Sequence, residues 1–414
     1  MTQPTIKLLR VFLPFACGYF ISYLYRVVNA VIAPNLVSDT GADPSELGLL
    51  TSAYFLTFAA AQLPLGVLLD RYGPRKIESF LLIFAAAGAF VFAMAESITG
   101  LVIGRALIGF GVSACLMAAF KAFVLWFRRE QLPLINGLQM AAGGLGALAA
   151  TAPVEAALGI TDWRGVFVGL SVLTLVVSAL VFFIVPERAP VTNGDSFGKQ
   201  VRGVIEVFTS LTFWRIAPIA TVSQATFLSI HGLWSGPWLR DMAGLSRAEA
   251  ANTLLLVAIA MICGFIGLGA AAERLSKIGV RPVVVAVTGM VLFMVILFII
   301  TLGISGWVLP LWLLFGFFGT AGILPYAVLS QSFPPELSGR VNTALNLLVF
   351  IFAFVTQWGI GSVIEMWPTT SSGGYSPAGY QAAFSILLAL HIVTLLWFFI
   401  AGRKLKFART VPSD

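Results

Sequence analysis

The sequence has few charged residues: Asp, Glu, Lys and Arg together make up 10% of its 414 residues. A water-soluble domain carries about 25% charged residues, so this chain lacks the polar surface that a soluble body of its length needs. Apolar residues make up 59% of the sequence, and the mean hydropathy is +0.95. These totals exclude a soluble protein and predict one embedded in a lipid bilayer, with no nucleic-acid partner.

Cysteine and histidine are also scarce. The three cysteines, Cys17, Cys115 and Cys263, each lie in an apolar stretch, so we expect no disulfide framework. The two histidines lie in different halves of the chain, and the sequence contains no zinc-type His-Glu spacing, no phosphate loop and no nucleophile–base pair. We therefore expect no metal, no cofactor and no enzymatic activity. A membrane receptor is also disfavoured, because no extramembrane segment is long enough for a ligand-binding module.

Apolar stretches long enough to cross a bilayer occur twelve times. A spanning helix needs about 20 mainly apolar residues, and the first stretch is too long for a cleavable signal segment. The predicted spans are 9–33, 46–69, 77–95, 98–123, 132–157, 165–185, 213–238, 250–272, 281–302, 306–330, 341–366 and 380–402.

The basic residues indicate the orientation of these spans. Nineteen of the 25 Lys and Arg residues fall on the side that holds both termini, whereas only Arg164, Arg240 and Arg247 fall on the other. Because basic residues concentrate in cytoplasmic loops, we expect both termini to be cytoplasmic. The predicted location is the inner membrane of a bacterium.

The chain is also predicted to consist of two related halves. A polar stretch at 186–212 separates a bundle at 1–185 from a second bundle at 213–414, and it is interpreted as a cytoplasmic linker. A shift of 203 residues aligns landmarks of the two halves, and most of these are not apolar. The aligned pairs are Pro34 with Pro237, Gly41 with Gly244, Gly66 with Gly269, Asp70 with Glu273, and Arg71 with Arg274.

The segment Gly66–Lys76 resembles the signature loop between the second and third helices of the major facilitator superfamily. The resemblance covers essentially the whole chain. It implies an all-α membrane fold with twelve transmembrane helices in two pseudo-symmetric six-helix bundles. It also implies a conformational latch, in which the acidic residue of the loop contacts the eleventh helix. The latch candidates are Gly66, Asp70, Arg71, Arg75, Glu273 and Arg274.

An arginine inside the first span is the main candidate for substrate binding. Arg26 in Tyr23-Leu24-Tyr25-Arg26 resembles the first-helix pattern of the organophosphate antiporter and anion symporter branches, where the arginine binds an anionic group. A guanidinium presents donors that match a carboxylate or a phosphate. Tyr23 and Tyr19 lie on roughly the same helical face. The alternative is that Arg26 forms a structural pair with a carboxylate or with backbone carbonyls.

Several other polar groups in the spans are weaker candidates. Lys121 resembles a basic residue of the same branches and is either a second anion contact or an anchor that reaches the membrane surface. The remaining cavity candidates are Gln139, Gln224, Tyr326 and Asn346.

Acidic groups in the spans bear on coupling to an ion. Glu155 and Glu365 are taken as the only acids of the spans, and both fall near outer helix ends. We expect them to act as interface or gate residues. Arg105 and His231 are further gating or coupling candidates, each with a structural alternative. The coupling ion, proton or sodium, stays open.

The leading hypothesis is a monomeric secondary carrier that moves a small organic anion by alternating access. The alternative is an exporter of a hydrophobic or cationic compound, which acids at the middle of the membrane would favour.

Overall fold

The protein is all-helical in a computed structural model that describes residues 8–127, 132–187, 205–333, 337–370 and 373–410. Residues 188–204, most of the expected linker, lie outside the described ranges. We number the long helices by span and add a and b where a span is broken. They are α1a (Leu13–Val27), α1b (Asn29–Thr40), α2 (Pro44–Tyr72), α3 (Pro74–Met94), α4a (Ile98–Gly111), α4b (Cys115–Trp126), α5a (Leu132–Ala149), α5b (Ala152–Leu158), α6 (Trp163–Ile184), α7a (Leu211–Ser229), α7b (Ser235–Asp241), α8 (Arg247–Lys277), α9 (Pro282–Thr301), α10a (Val308–Gly319), α10b (Leu324–Ser332), α11 (Ser338–Ile364) and α12 (Pro377–Thr410).

The helices match the expected spans closely. Within the described residues, ten helices are long and apolar enough to cross a membrane, and the pair formed by α1a and α1b, bent by 47°, makes an eleventh if it crosses once. The expected second span corresponds to α2, which falls outside that set. With 29 residues, α2 is about 43 Å long at 1.5 Å per residue, and this exceeds the thickness of the hydrocarbon layer.

The two halves repeat the same local structure at the predicted offset. Gly41 and Gly244 end the helices before α2 and α8, and both have a φ of 68°, a left-handed conformation that glycine adopts without strain. Each following helix begins with a capping box, formed by Asp43 with Glu46 and by Ser246 with Glu249. The repeat therefore extends to the backbone conformation.

Glycines allow the helices of one half to approach closely. A Cβ at Gly109 of α4a would overlap the Tyr54 carbonyl oxygen of α2, and a Cβ at Gly146 of α5a would overlap the Phe20 carbonyl of α1a. Small residues at such crossings let backbones meet and gain dispersion contacts, which drive helix association in lipid.

The two ends of the molecule differ in charge and in closure. We call the end that carries Arg71 to Lys76 the basic end, and the opposite end the far end. At the far end the halves are in direct contact: Ser45 of α2 hydrogen-bonds Ser362 of α11 at 3.0 Å, and Arg247 of α8 donates to Asn35 of α1b at 2.7 Å. A Cβ at Gly236 of α7b would overlap the Ala30 carbonyl of α1b. The far end is therefore closed in this state.

Candidate functional site

The candidate site lies where the first helix bends. α1a ends at Val27, and the chain turns by 47° before α1b begins at Asn29. Arg105 of α4a is buried at this turn, and its Nη1 donates to the Tyr25 carbonyl oxygen at 2.8 Å. The arginine supplies a donor where the helical ladder is interrupted. Arg105 therefore holds the bend that presents the neighbouring Arg26.

Aromatic rings surround the guanidinium of Arg26. Its central carbon lies 4.4 Å from the ring centroid of Tyr23, 5.3 Å from Phe350, 5.5 Å from Phe58 and 5.9 Å from Tyr54. Three of these rings belong to the first half, and Phe350 belongs to α11 of the second. Each ring face attracts a cation by about 0.5–2 kcal/mol. Arg26 thus lies at the contact between the halves, and 6% of its surface is exposed.

The charge of Arg26 has no acidic counterpart in the described part of the chain. None of the ion pairs found there includes Arg26, and the buried Nε of this arginine has no hydrogen-bond partner. A buried cation without a carboxylate bears an uncompensated desolvation cost. This arrangement suits an external anion, which would supply the missing acceptor oxygens.

A chain of hydrogen bonds crosses between the halves beside this arginine. The Tyr326 hydroxyl of α10b donates to Asn346 Oδ1 of α11 at 3.0 Å, and Asn346 Nδ2 donates to Gln62 Oε1 of α2 at 3.3 Å. Asn346 and Phe350 lie one turn apart on α11. Tyr326 and Asn346 are both partly exposed, so this polar chain forms an accessible wall of the site.

The tyrosines on α1a complete the cluster. Tyr19 and Tyr23 pack edge to face with centroids 5.1 Å apart, and the Tyr19 hydroxyl points to the Met140 sulfur of α5a at 3.9 Å. A Cβ at Gly143 would collide with both rings. The glycine-rich stretch of α5a therefore provides the space that these two rings occupy.

Two predicted cavity residues serve other contacts. Gln139 is fully buried and donates from Nε2 to the Phe15 carbonyl of α1a at 3.1 Å. Gln224 packs against Gly322 of the turn between α10a and α10b, with its Oε1 buried and without a partner. Neither contacts the Arg26 cluster through a hydrogen bond in the described residues. Lys121 of α4b is partly exposed nearer the basic end.

Apart from Arg105, the gating candidates lie in two places. Glu155 pairs with Arg247 at 3.4 Å between α5b and α8 at the far end. Glu365 also lies there, directly after α11 ends at Ile364. His231 is buried in the π-helical turn between α7a and α7b, stacked on Phe227, with both ring nitrogens unpartnered.

The signature loop contacts the segment that follows α6. Arg75 lies 3.8 Å from Glu187, and Lys76 also pairs with Glu187, which lowers the pKa of that exposed carboxyl. In the second half, Glu273 pairs with Lys277 one turn away on the same helix, at 2.8 Å. The Asp70 side chain lies outside the described part of the structure, so its predicted latch contact stays a prediction.

In the ranges that the structure describes, no hydrogen bond or ion pair joins the other latch candidates to the opposite half. Gly66, Arg71 and Arg274 are exposed, and the Arg71 guanidinium packs over the ring of the adjacent Tyr72 at 5.3 Å.

The structure corrects one statement about the acids. Glu155 and Glu365 are not the only acids of the spans, because Glu78 of α3 is fully buried and lies inside the predicted span 77–95. It follows Arg75 and Lys76 with only Ile77 between, so the sequence places it beside a charged loop. The signal that could have revealed it is its position within the apolar stretch itself.

The sequence also missed Tyr54, Phe58, Phe350 and Gln62 as members of the site. Tyr54 and Phe58 are spaced by one helical turn, and Gln62 follows by another, so the three share one face of α2. That spacing is visible in the sequence. Its relevance to the site is not, because the relevance depends on which face of α2 meets Arg26.

Comparisons with known proteins agree with this architecture. Residues 15–357 match the family described as Major Facilitator Superfamily. The probable sulfoacetate transporter SauU of Cupriavidus necator is 23% identical over 262 residues, which cover 60% of each chain. The match thus spans less than two thirds of that relative. The probable galactarate/D-glucarate transporter GudP of Escherichia coli is 23% identical, with 90% of each chain covered.

Two further matches extend the comparison. The multidrug resistance protein MdtL of Salmonella dublin is 26% identical over 60% of this chain and 64% of that protein. A solved structure of a bacterial homologue of the human lysosomal transporter Spinster superposes with a TM-score of 0.76 at 17% identity, over 97% of this chain and 98% of the other. At that identity the likeness concerns the fold alone.

Proposed function

The chain belongs to the Major Facilitator Superfamily, and from this we propose that it is a secondary active transporter that carries a small organic anion of the carboxylate or phosphate type. The residues proposed to bind the anion are Arg26, Tyr23, Tyr19, Tyr326 and Asn346. Gln139, Gln224 and Lys121 are proposed to support these residues from behind, without contacting the anion themselves.

The observation that carries this proposal is the buried guanidinium of Arg26, which has no carboxylate partner in the described residues. In a low-dielectric cleft an anion that pairs with this group gains more than it would in water. The Tyr326–Asn346 pair on the opposite wall provides neutral donors and acceptors. The guanidinium on one side and this polar pair on the other orient the negative group of the solute towards α1 and the rest of the solute towards α11. The relatives SauU and GudP, described as probable carriers of organic anions, support this substrate class.

We place the basic end in the cytoplasm, since basic residues accumulate on that side of an inner membrane. With both termini at this end, the contacts at the far end close the periplasmic side. In this state the solute reaches the site from the cytoplasmic side. Transport follows when the halves rock about the central site, and the carrier works as a monomer.

Counterflow in proteoliposomes tests the proposal. Purified protein is reconstituted with unlabelled sulfoacetate, D-glucarate or inorganic phosphate inside, and uptake of the same labelled anion is measured. We expect at least one of these anions to give counterflow, and Arg26→Gln to lower its uptake about 100-fold, because truncating one partner of a buried charged pair costs about 2–5 kcal/mol.

Arg215→Gln is the matched control. Arg215 also packs over an aromatic ring, with its central carbon 4.7 Å from the Phe398 centroid, but it lies against α12 away from the cleft. Counterflow in this control should stay within twofold of the wild type. Undiminished anion uptake by Arg26→Gln would refute the role of the guanidinium.

A second candidate is an exporter of hydrophobic or cationic compounds. Four aromatic rings around the cleft and the likeness to MdtL favour it. A labelled lipophilic cation separates the two functions: a carrier for such compounds transports it and ignores the three anions, and Arg26→Gln increases rather than abolishes that transport.

A further inference from the structure

A carboxyl group is sealed inside the first half without a cation. Glu78 of α3 is 0% exposed. Both of its oxygens are buried, and within the described part of the chain neither has a hydrogen-bond partner. None of the ion pairs found in the described residues includes it.

In the described residues, the surroundings of Glu78 come from α1a, α4b and α6. A Cβ at Gly18 of α1a would overlap Glu78 Oε1, so the carboxyl fills the space that this glycine leaves, and the Cys115 thiol of α4b lies beside the same gap. From α6, Ser178 donates to the carbonyl of the adjacent Ser79 at 2.7 Å.

Such a site favours a bound proton. Moving an ionised carboxyl into an apolar interior without a partner is so unfavourable that the group takes up a proton instead. The glycine gap would accept the neutral carboxyl, whereas an ionised one would need water or a cation. Releasing the proton therefore requires α1a to separate from α3 and α4b at Gly18.

The position of the carboxyl connects this proton to the anion site. Gly18 and Arg26 lie eight residues apart on α1, which corresponds to about 12 Å along the helix. The positive charge of Arg26 favours the ionised form of Glu78, and an anion bound to Arg26 cancels that effect. Anion binding and proton binding thus favour each other.

We propose that Glu78 is the proton-coupling site of the carrier, and that one proton binds to its carboxylate for each anion taken up and moves with that anion in the same direction. This inference rests on the proposed anion transport. The step consists only of protonation: carboxylate and proton give carboxylic acid on one side of the membrane, and the reverse occurs on the other. No bond to the anion forms or breaks.

Infrared spectroscopy of the purified, ligand-free carrier tests the proton directly. The wild type at about pH 7 should show the carbonyl stretch of a protonated carboxylic acid, and Glu78→Gln should lose that band. Glu96→Gln is the matched control, because Glu96 is an exposed carboxyl just beyond the other end of α3, and its band should be unchanged. A band that persists in Glu78→Gln overturns the proposal.

Transport of the anion that gives counterflow tests the coupling. With the acidic side facing the labelled anion, the wild type and Glu96→Gln should accumulate it up to about tenfold per pH unit. Glu78→Gln should show no response to the pH gradient while keeping counterflow at equal pH within twofold, which also shows that the variant is folded. A Glu78→Gln carrier that still responds to the gradient overturns the proposal. Absent counterflow in the wild type refutes the proposed function alone, and the infrared band then decides whether Glu78 holds a proton.

Discussion

The two halves have similar backbone structures but differ in the chemistry of their interiors. In the described residues 8–187, three charged side chains are buried: Arg26, Glu78 and Arg105. In the described parts of 205–410, no Asp, Glu, Lys or Arg side chain is buried. The buried polar groups there are neutral hydroxyls and amides, together with His231 and His391. The glycine conformations and capping boxes nevertheless repeat at an offset of 203 residues.

Under the anion transport proposed above, this difference separates the features that the fold requires from those that the solute requires. Both halves need the same caps and turns, because both must return the chain across the membrane at the same points. Only one half needs a fixed cation, since a single guanidinium facing neutral groups attracts one anion. A carboxylate on the facing half would take the place of the solute. The predictions below test this division.

The largest expected effect comes from placing a carboxylate in the second half. Asn346→Asp puts an acid one turn from Phe350, whose ring packs on Arg26. We expect anion uptake to fall about 100-fold, because the new carboxylate competes for the guanidinium. Counterflow measures the loss.

Asn252→Asp makes the same chemical change on an exposed position of α8 and should leave uptake within twofold. If Asn346→Asp transports the anion as well as this control does, the two walls do not share one site.

The next prediction distinguishes the roles of the two buried arginines of the first half by their effects on stability. Arg105→Met leaves the Tyr25 carbonyl without its donor, and we expect a loss of stability of about 2 kcal/mol. Arg26→Met removes a cation that lacks an acidic partner, so the stability should be unchanged or higher. Thermal unfolding in detergent measures both. Equal destabilisation by the two variants would mean that Arg26 is a structural residue.

A smaller effect concerns the contact between the halves at the far end. Gly236→Ala introduces a Cβ that overlaps the Ala30 carbonyl. Overpacking costs about 1–3 kcal/mol, and the cost applies only while the far end is closed, so the open population should rise. Spin labels at Ser38 and Ala248, with Cys263 replaced by Ser, report the distance across this end.

Gly306→Ala is the control, since nothing lies within 4 Å of a Cβ there. An unchanged distance distribution in Gly236→Ala would contradict the closing role of this contact.

The sequence predicted the helices and the first-helix cluster better than the rest of the site. Length and hydropathy suffice for the spans, and Tyr19, Tyr23 and Arg26 lie on one regular helix, so their mutual contacts follow from the helical spacing. Gln224 and His231 lie on either side of the start of a π-helical turn, which shifts the helical phase. For such residues the facing direction depends on packing between helices.

Glu78 illustrates the same limit. Its burial depends on Gly18 of another helix, and no local pattern in α3 encodes that glycine. The same holds for Phe350, which reaches Arg26 only because the halves are in contact.

The central claim is that Arg26 binds the negative group of the solute. The most direct measurement compares the affinity for the transported anion with that for its uncharged amide or ester, in the wild type and in Arg26→Gln, by calorimetry on purified protein. We predict that the wild type prefers the anion about 100-fold and that the variant shows almost no preference. An equal preference for the anion in both proteins would contradict the claim.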